Sequence, residues 1–331
     1  MRNPFPVNVA DAGTRFAVAA LLCLGVGTLG VTASLAANQG QSRTTTMEDI
    51  CGQCKPEKFA QCGNFLEGPA FDSDGNLWMV SIKSGDIHKV TPNGECTTAT
   101  NTQGQPQGLK FHKDGRLFGV DRKRGVFWID TKTGEVHDYM RYFNNENFHG
   151  PNDLIFDKTG GLYFTDPWGT SPLNPRGGVY YISAEPEKKI SRLADNLAFP
   201  NGIVLSPDEE TLYINDFNNQ RVLAVQVLSP GVINTGRANV FGGTLAGGRG
   251  TDGGAVDSKG NLYVAHFGAG EVVVMDPIGF IVGVIPLPPN AGYLTTNVAF
   301  RGGYLYITEA DQNIVWRVKT NIPGAKLYGD H

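Results

Sequence analysis

The chain has 331 residues, with 28 Lys and Arg against 32 Asp and Glu, for a formal charge of −4. Its basic residues are scattered singly, so the basic face of a nucleic-acid binder is missing. No G-x-G-x-x-G or Walker-type loop follows a strand pattern, which leaves a nucleotide cofactor without support. A small molecule is the expected partner, and the sequence is silent on protein partners.

Residues 1–37 read as a signal peptide. Arg2 and Arg15 flank a short polar stretch, and the run from Phe16 to Ala37 is apolar and rich in Ala, Leu and Gly. It ends in Ser34-Leu35-Ala36-Ala37, small residues suited to signal peptidase. The alternative is an uncleaved anchor, since about 20 apolar residues can span a bilayer. Either way the remainder is expected outside the cytoplasm, in a periplasm or secreted.

An N-terminal arm follows at residues 38–64. Beyond Cys23 in the leader, Cys51, Cys54, Cys62 and Cys96 form an even set in or beside the first repeat. An oxidising compartment favours disulfides that clamp the arm, with three pairings open. Cys51-Gly52-Gln53-Cys54 has no second C-x-x-C pair or histidine to make a zinc site.

From residue 65 to 331 one pattern recurs six times: a polar anchor, a β-rich run, a D-x-x-G-type turn and a second β-rich run. The anchors are Glu67, Gln107, Asn152, Asn201, Asp252 and Asn297, spaced 40 to 51 residues apart. That period predicts an all-β fold, a six-bladed β-propeller of four-stranded blades with an N-terminal extension. Runs such as LWMVSI, GLYFTD and NLYVAH are strands, and Asp74-Gly75, Asp114-Gly115, Gly160-Gly161 and Lys259-Gly260 supply hairpin turns. Asp72-Ser73-Asp74-Gly75-Asn76 looks like the start of an EF-hand loop, but Lys83 stands where the closing Glu belongs.

Rotation brings equivalent residues into a ring around the propeller axis. Glu67, Asn152, Asn201 and Asp252 would converge there as hard oxygen donors, a set that suits Ca²⁺ or another divalent cation. Zinc or iron would call for His or Cys. Such an ion polarises a carbonyl or phosphoryl oxygen, and Asp252 is the expected base. Gln107, His149, Trp168, His266, Asn297 and Glu309 are expected around the substrate. Asp166 and Asp216 repeat at the same place in adjacent blades and read as holders of backbone N–H groups.

These motifs resemble the senescence marker protein, gluconolactonase and luciferin-regenerating enzyme family. The residues that carry the resemblance are Glu67-Gly68-Pro69, Pro151-Asn152-Asp153-Leu154 before GLYFTDP, Pro200-Asn201-Gly202, and Thr251-Asp252-Gly253-Gly254. It spans Phe65 to Val318 and implies a metal-dependent hydrolase that opens lactones. In it Glu67, Asn201 and Asp252 correspond to metal ligands, Asp252 also to base or nucleophile, and Asn152 to an asparagine on metal or substrate. Some sugar-lactonase relatives carry arginine two residues before that asparagine, where this chain has Gly150. A phosphotriesterase, or a non-catalytic exported propeller that binds a partner, is the alternative. Strictosidine synthase-like propellers need no such oxygen ring.

Overall fold

A computed structural model describes residues 45–330; the predicted leader, its cleavage region and the start of the arm lie outside them. Six antiparallel sheets of four strands each make up the blades. The innermost strands are Leu66–Phe71, Pro106–Phe111, Leu154–Phe156, Pro200–Leu205, Gly250–Val256 and Thr295–Arg301. Behind them lie Leu77–Ser81, Leu117–Asp121, Leu162–Asp166, Thr211–Asp216, Leu262–Phe267 and Tyr304–Glu309, almost wholly buried. Neighbouring blades cover both faces of these strands. Ile155, Tyr163 and Val179 of the third blade, for example, pack with Ile203, Leu205 and Ile214 of the fourth. Two-sided burial is why runs such as LYFTD do not alternate apolar with polar. The hairpin glycines Gly75, Gly115, Gly160 and Gly260 have φ between 83° and 90°, as tight hairpins require. The EF-hand look-alike is such a turn, with Asp72 Oδ1 accepting the Asn76 N–H at 2.8 Å.

The sixth repeat supplies only three strands, the last being Ile314–Lys319. Its exposed edge would be left unpaired. Strand Glu57–Gln61 fills it, antiparallel, with Glu57 opposite Arg317 and Gln61 opposite Ile314. The propeller therefore begins inside the stretch expected to be a separate arm, not at residue 65. Of the pairings left open, the structure has Cys51–Cys54 and Cys62–Cys96. The second ties the end of this closing strand to the outer strand of the first blade, Cys96–Asn101. Ahead of it a short helix, Met47–Cys51, is capped by Thr46 and buries Ile50 against Val272, Ile285 and Trp316 of the last two blades.

Residues 320–330 turn back over one end of the channel. Ser258 N–H donates to Pro323 O at 2.8 Å and Ala325 N–H to Val256 O at 3.0 Å. The Tyr328 ring packs on His112 and Phe156, with centroids 4.9 and 5.8 Å away. Beneath this cover lies an axial cavity of about 70 Å³, lined by inner strands of all the blades through Ala70, Lys110, Ile155, Ile203, Ala255 and Ala299.

Candidate active site

The opposite end of the channel is open, and a repeated irregularity shapes it. In five inner strands the pairing register breaks at the anchor: at Glu67/Ala70, Pro106/Leu109, Pro200/Ile203, Thr251/Gly254 and Thr295/Asn297. In the third blade the ladder begins only at Leu154, just after Asn152 and Asp153. A β-bulge bends a strand and re-aims its side chains; here the anchors are turned toward the axis. Glu67, Asn152, Asn201 and Asp252 thereby line one funnel of about 520 Å³, together with Gln107 and Trp168.

One residue deeper the ring is mostly glycine, which leaves room for two polar side chains to cross. A Cβ at Gly253 would collide with the Asn297 amide, and one at Gly108 would sit 2.7 Å from Asp153 Oδ1. Asn297 donates its Nδ2 to Glu67 Oε2 at 3.0 Å and accepts the Val298 N–H at 2.8 Å. Asp153 accepts the Leu154 N–H at 2.8 Å and faces Lys110 Nζ at 4.0 Å. Gly68 N–H donates to Glu67 Oε2, and the Asn215 amide donates to the Asp252 carbonyl.

Three carboxyl groups are thus crowded at the axis, with Glu67 4%, Asp252 6% and Asp153 1% exposed. Burial first, then the Asp153 charge, pushes Glu67 up to about 8, against the Gly68 N–H, Asn297 and Lys110. Burial first, then Glu67 and Asp153, holds Asp252 well above the ordinary carboxylate range, with the Asn201 side chain and Gly253 N–H opposing. Asp153 is raised by burial and eased by Lys110. Without a counter-charge these groups cannot all ionise. Glu67 Oε1 and Asn201 Oδ1 are buried with no hydrogen-bond partner, a costly state for acceptors that nothing satisfies. Unsatisfied oxygens and close carboxylates, with no sulfur or imidazole among the described lining residues, are the donor chemistry of a hard divalent cation.

With this geometry in place, the model of the SMP-30/gluconolactonase/LRE-like region matches residues 65–311. The chain belongs to this family. Lactonase drp35 of Staphylococcus haemolyticus is 34% identical over 242 residues, 70% of this chain and 72% of that protein. Its counterpart in Staphylococcus saprophyticus is 36% identical over 234 residues, 67% and 70% of the two chains. Among solved structures, a gluconolactonase from Xanthomonas campestris superposes with a TM-score of 0.73 at 23% identity, covering 83% of this chain and 92% of that one. A calcium-binding regucalcin from Agrobacterium tumefaciens gives 0.67 at 23% identity over 82% and 98% of the chains. At such identities the superpositions speak for the fold alone.

Within this gluconolactonase-type propeller, four of the residues expected around the substrate are not in the funnel lining. Asn297 lies behind Glu67, because Thr296 is the residue in register with the other anchors. Thr296 Oγ1 donates to Leu66 O at 2.8 Å. Glu309 accepts the Asp311 and Gln312 N–H groups at 2.5 and 3.0 Å. Asp121 does the same for Lys123 and Arg124 at the same strand end of the second blade. His266 occupies that strand-end place in the fifth blade, between Glu271 Oε1 at 3.0 Å and Gly247 O at 3.1 Å. His149 is exposed, and its N–H donates to Asp166 Oδ2 at 2.9 Å while Gly150 N–H takes Oδ1 at 2.6 Å. Asp166 therefore has the backbone-holding task expected of it. Asp216 differs, accepting from Asn219 and Arg221 side chains at 2.7 and 2.9 Å.

Sequence reasoning missed Asp153 and, apart from Trp168, the aromatic wall of the funnel. Trp168, Phe199, Phe217, Phe267 and Phe65 form a continuous arc, with successive ring centroids 5.9, 5.6, 5.7 and 6.4 Å apart. These spacings lie within the range of direct ring–ring contact. Phe65, Phe199, Phe217 and Phe267 sit just before an inner strand or at the end of a second strand, so their convergence was visible only once the blades were in register.

Proposed function

We propose that this protein is a lactonase-type hydrolase whose divalent cation is held by Glu67, Asn152, Asn201 and Asp252, with calcium as the first choice. The observation that carries the reading is the pair of orphaned buried oxygens, Glu67 Oε1 and Asn201 Oδ1, among carboxyls whose pKa values burial and mutual repulsion raise. The family and the drp35 relatives support the lactone as substrate. The likeness to a calcium-binding regucalcin agrees with that choice of ion. When bound, the ion supplies a Lewis acid for the carbonyl oxygen and for the charge that develops on it.

The rest is the work of the chain's own residues. Asp252, in its ionised form, holds the attacking water and takes its proton as general base. Asn297 and Gly68 hold the Glu67 carboxylate in place from behind. Gln107 presents an amide to the lactone ring, and the aromatic arc takes the carbon frame and displaces water. Export belongs to the same proposal, supported by the leader sequence and by two disulfides.

The test is a panel of five- and six-membered lactones, aldonolactones and aryl phosphotriesters, assayed with added Ca²⁺ and then with chelator, beside elemental analysis of the purified protein. Lactone turnover that the chelator abolishes is expected, with one ion per chain. Turnover of phosphotriesters in preference to lactones, or hydrolysis that ignores the chelator, would overturn the reading.

A further inference from the structure

Three cationic side chains line the same funnel as the carboxyls: Lys83, Arg122 and Arg249. Each lies on a ring of the aromatic arc. Arg122 stacks on Trp168 with 3.2 Å from guanidinium carbon to ring centroid, Arg249 lies 5.4 Å from Phe267, and Lys83 lies 5.3 Å from Phe65. Two of the cations therefore mark the ends of the arc, and Arg249 sits one ring in from the Phe65 end. Among the described residues no carboxylate lies within ion-pair distance of any of them.

Charge elsewhere in the funnel is already balanced. Among the described residues Glu67 and Asp252 are its only acidic lining residues, and the divalent ion they would hold balances their two charges. Asp153 has Lys110. The rim is left with positive charge that the protein does not use. Arg122 is also built in. At Gly150, where φ is +154°, a Cβ would lie 2.8 Å from both Arg122 Cγ and Trp168 Cβ. The missing side chain at residue 150 makes room for the stack. A guanidinium lying flat on indole keeps its N–H edge free, in the planar fork that matches a carboxylate.

We propose that the rim selects a lactone bearing a carboxylate on an apolar frame: the arc takes the frame, and Arg122 and Arg249 take the carboxylate. This rests on the reading of the funnel as the lactone site and adds the class of lactone. A polyhydroxylated sugar lactone offers neither the apolar surface nor the charge that this wall is built for.

The probe is a matched pair: a γ-lactone with an aryl side chain ending in a carboxylate, and the same compound ending in a primary amide. With the metal-loaded wild-type protein, kcat/KM should favour the carboxylate about tenfold, chiefly through KM and less at high salt, as expected for a charge-assisted contact near the surface. In Arg122→Gln and Arg249→Gln the acid-to-amide ratio should fall toward one, and Arg122→Lys should restore part of it. Equal rates or an amide preference in the wild-type protein, or an unchanged ratio in both Gln variants, would overturn the inference. If neither lactone is opened, calorimetric binding of the corresponding cyclic ether carboxylate separates the two ideas. Binding that depends on Arg122 keeps the rim and discards the lactonase reading; absence of binding discards the rim.

Discussion

The two ends of the channel are made from the same six inner strands and differ in almost every other respect. At the open end the strands bulge, and acids, amides and rings face a funnel of about 520 Å³. At the other end the ladders are regular, side chains such as Ala70, Ile203 and Ala299 face a cavity of about 70 Å³, and the C-terminal segment covers it. Half-buried Lys110 lines the smaller cavity and faces the buried Asp153 at 4.0 Å. One end carries buried groups that cost stability and promise chemistry; the other recovers stability through packing. Perturbing each end should therefore move different observables.

The largest effect is expected at the open end. Asp252→Asn should lower kcat by about 10² to 10³, the usual loss for one well-placed transition-state interaction. The melting temperature of the metal-free protein should hold or rise, because a buried, repelled carboxyl has gone. A variant that keeps wild-type turnover removes Asp252 from the mechanism. Next comes Asn297→Ala, which takes the amide donor from Glu67 Oε2 without touching the funnel. Loss of such a supporting contact typically costs about 10- to 100-fold in metal affinity, to be read by calcium titration; unchanged affinity would mean that Glu67 needs no support. At the covered end, Tyr328→Ala should cost about 1–3 kcal/mol through the contacts with His112 and Phe156. Its lactone kcat should stay near wild type, and a large fall in kcat would show that the two ends are coupled.

The smallest effect is a pH dependence with a definite sign. Glu67 is raised from 4.5 to about 8 in the metal-free fold, and Asp252 is raised in the same direction. Folding thus favours their protonated forms. That contribution is complete below the unfolded value and is lost as pH climbs through about 8. Metal-free protein should melt a few degrees lower at pH 8 than at pH 5. A divalent ion binds the ionised forms, so its stabilising effect should grow over the same interval. A gap between loaded and metal-free melting temperatures that narrows with pH would place the ion elsewhere.

The blades and four of the axial residues were legible in the sequence because each repeat announces itself with a turn and an anchor. Glu67, Asn152, Asn201 and Asp252 needed only the assumption that the ring closes. What was not legible depended on single-residue register. By pattern the sixth anchor falls on Asn297, yet strand pairing aligns it with Gly253 and Asp153, one layer deeper, where its role is to brace Glu67. Asp153 was hidden by its neighbour: in Pro151-Asn152-Asp153 the asparagine takes the anchor position, and nothing local says that the next carboxyl is also turned inward. His266 and Glu309 stood out as reactive residue types, but they fill a strand-end position that Asp121 and Asp166 use to hold backbone. Arg122 and Arg249 precede or follow strands in separate blades, and no local pattern links them to Trp168 or Phe267.

The closing strand has a consequence for the order in which the molecule can form. Glu57–Gln61 and Ile314–Lys319 meet from opposite ends of the described chain, and the first blade follows that strand directly. Every junction between blades is therefore crossed by continuous polypeptide, and the ring is shut by a latch that is synthesised first and used last. Nascent chain lacking its final repeat has no partner for the latch and cannot close. Closure of the ring must wait for nearly the whole chain, and joining segments so far apart carries the entropy cost of a long loop.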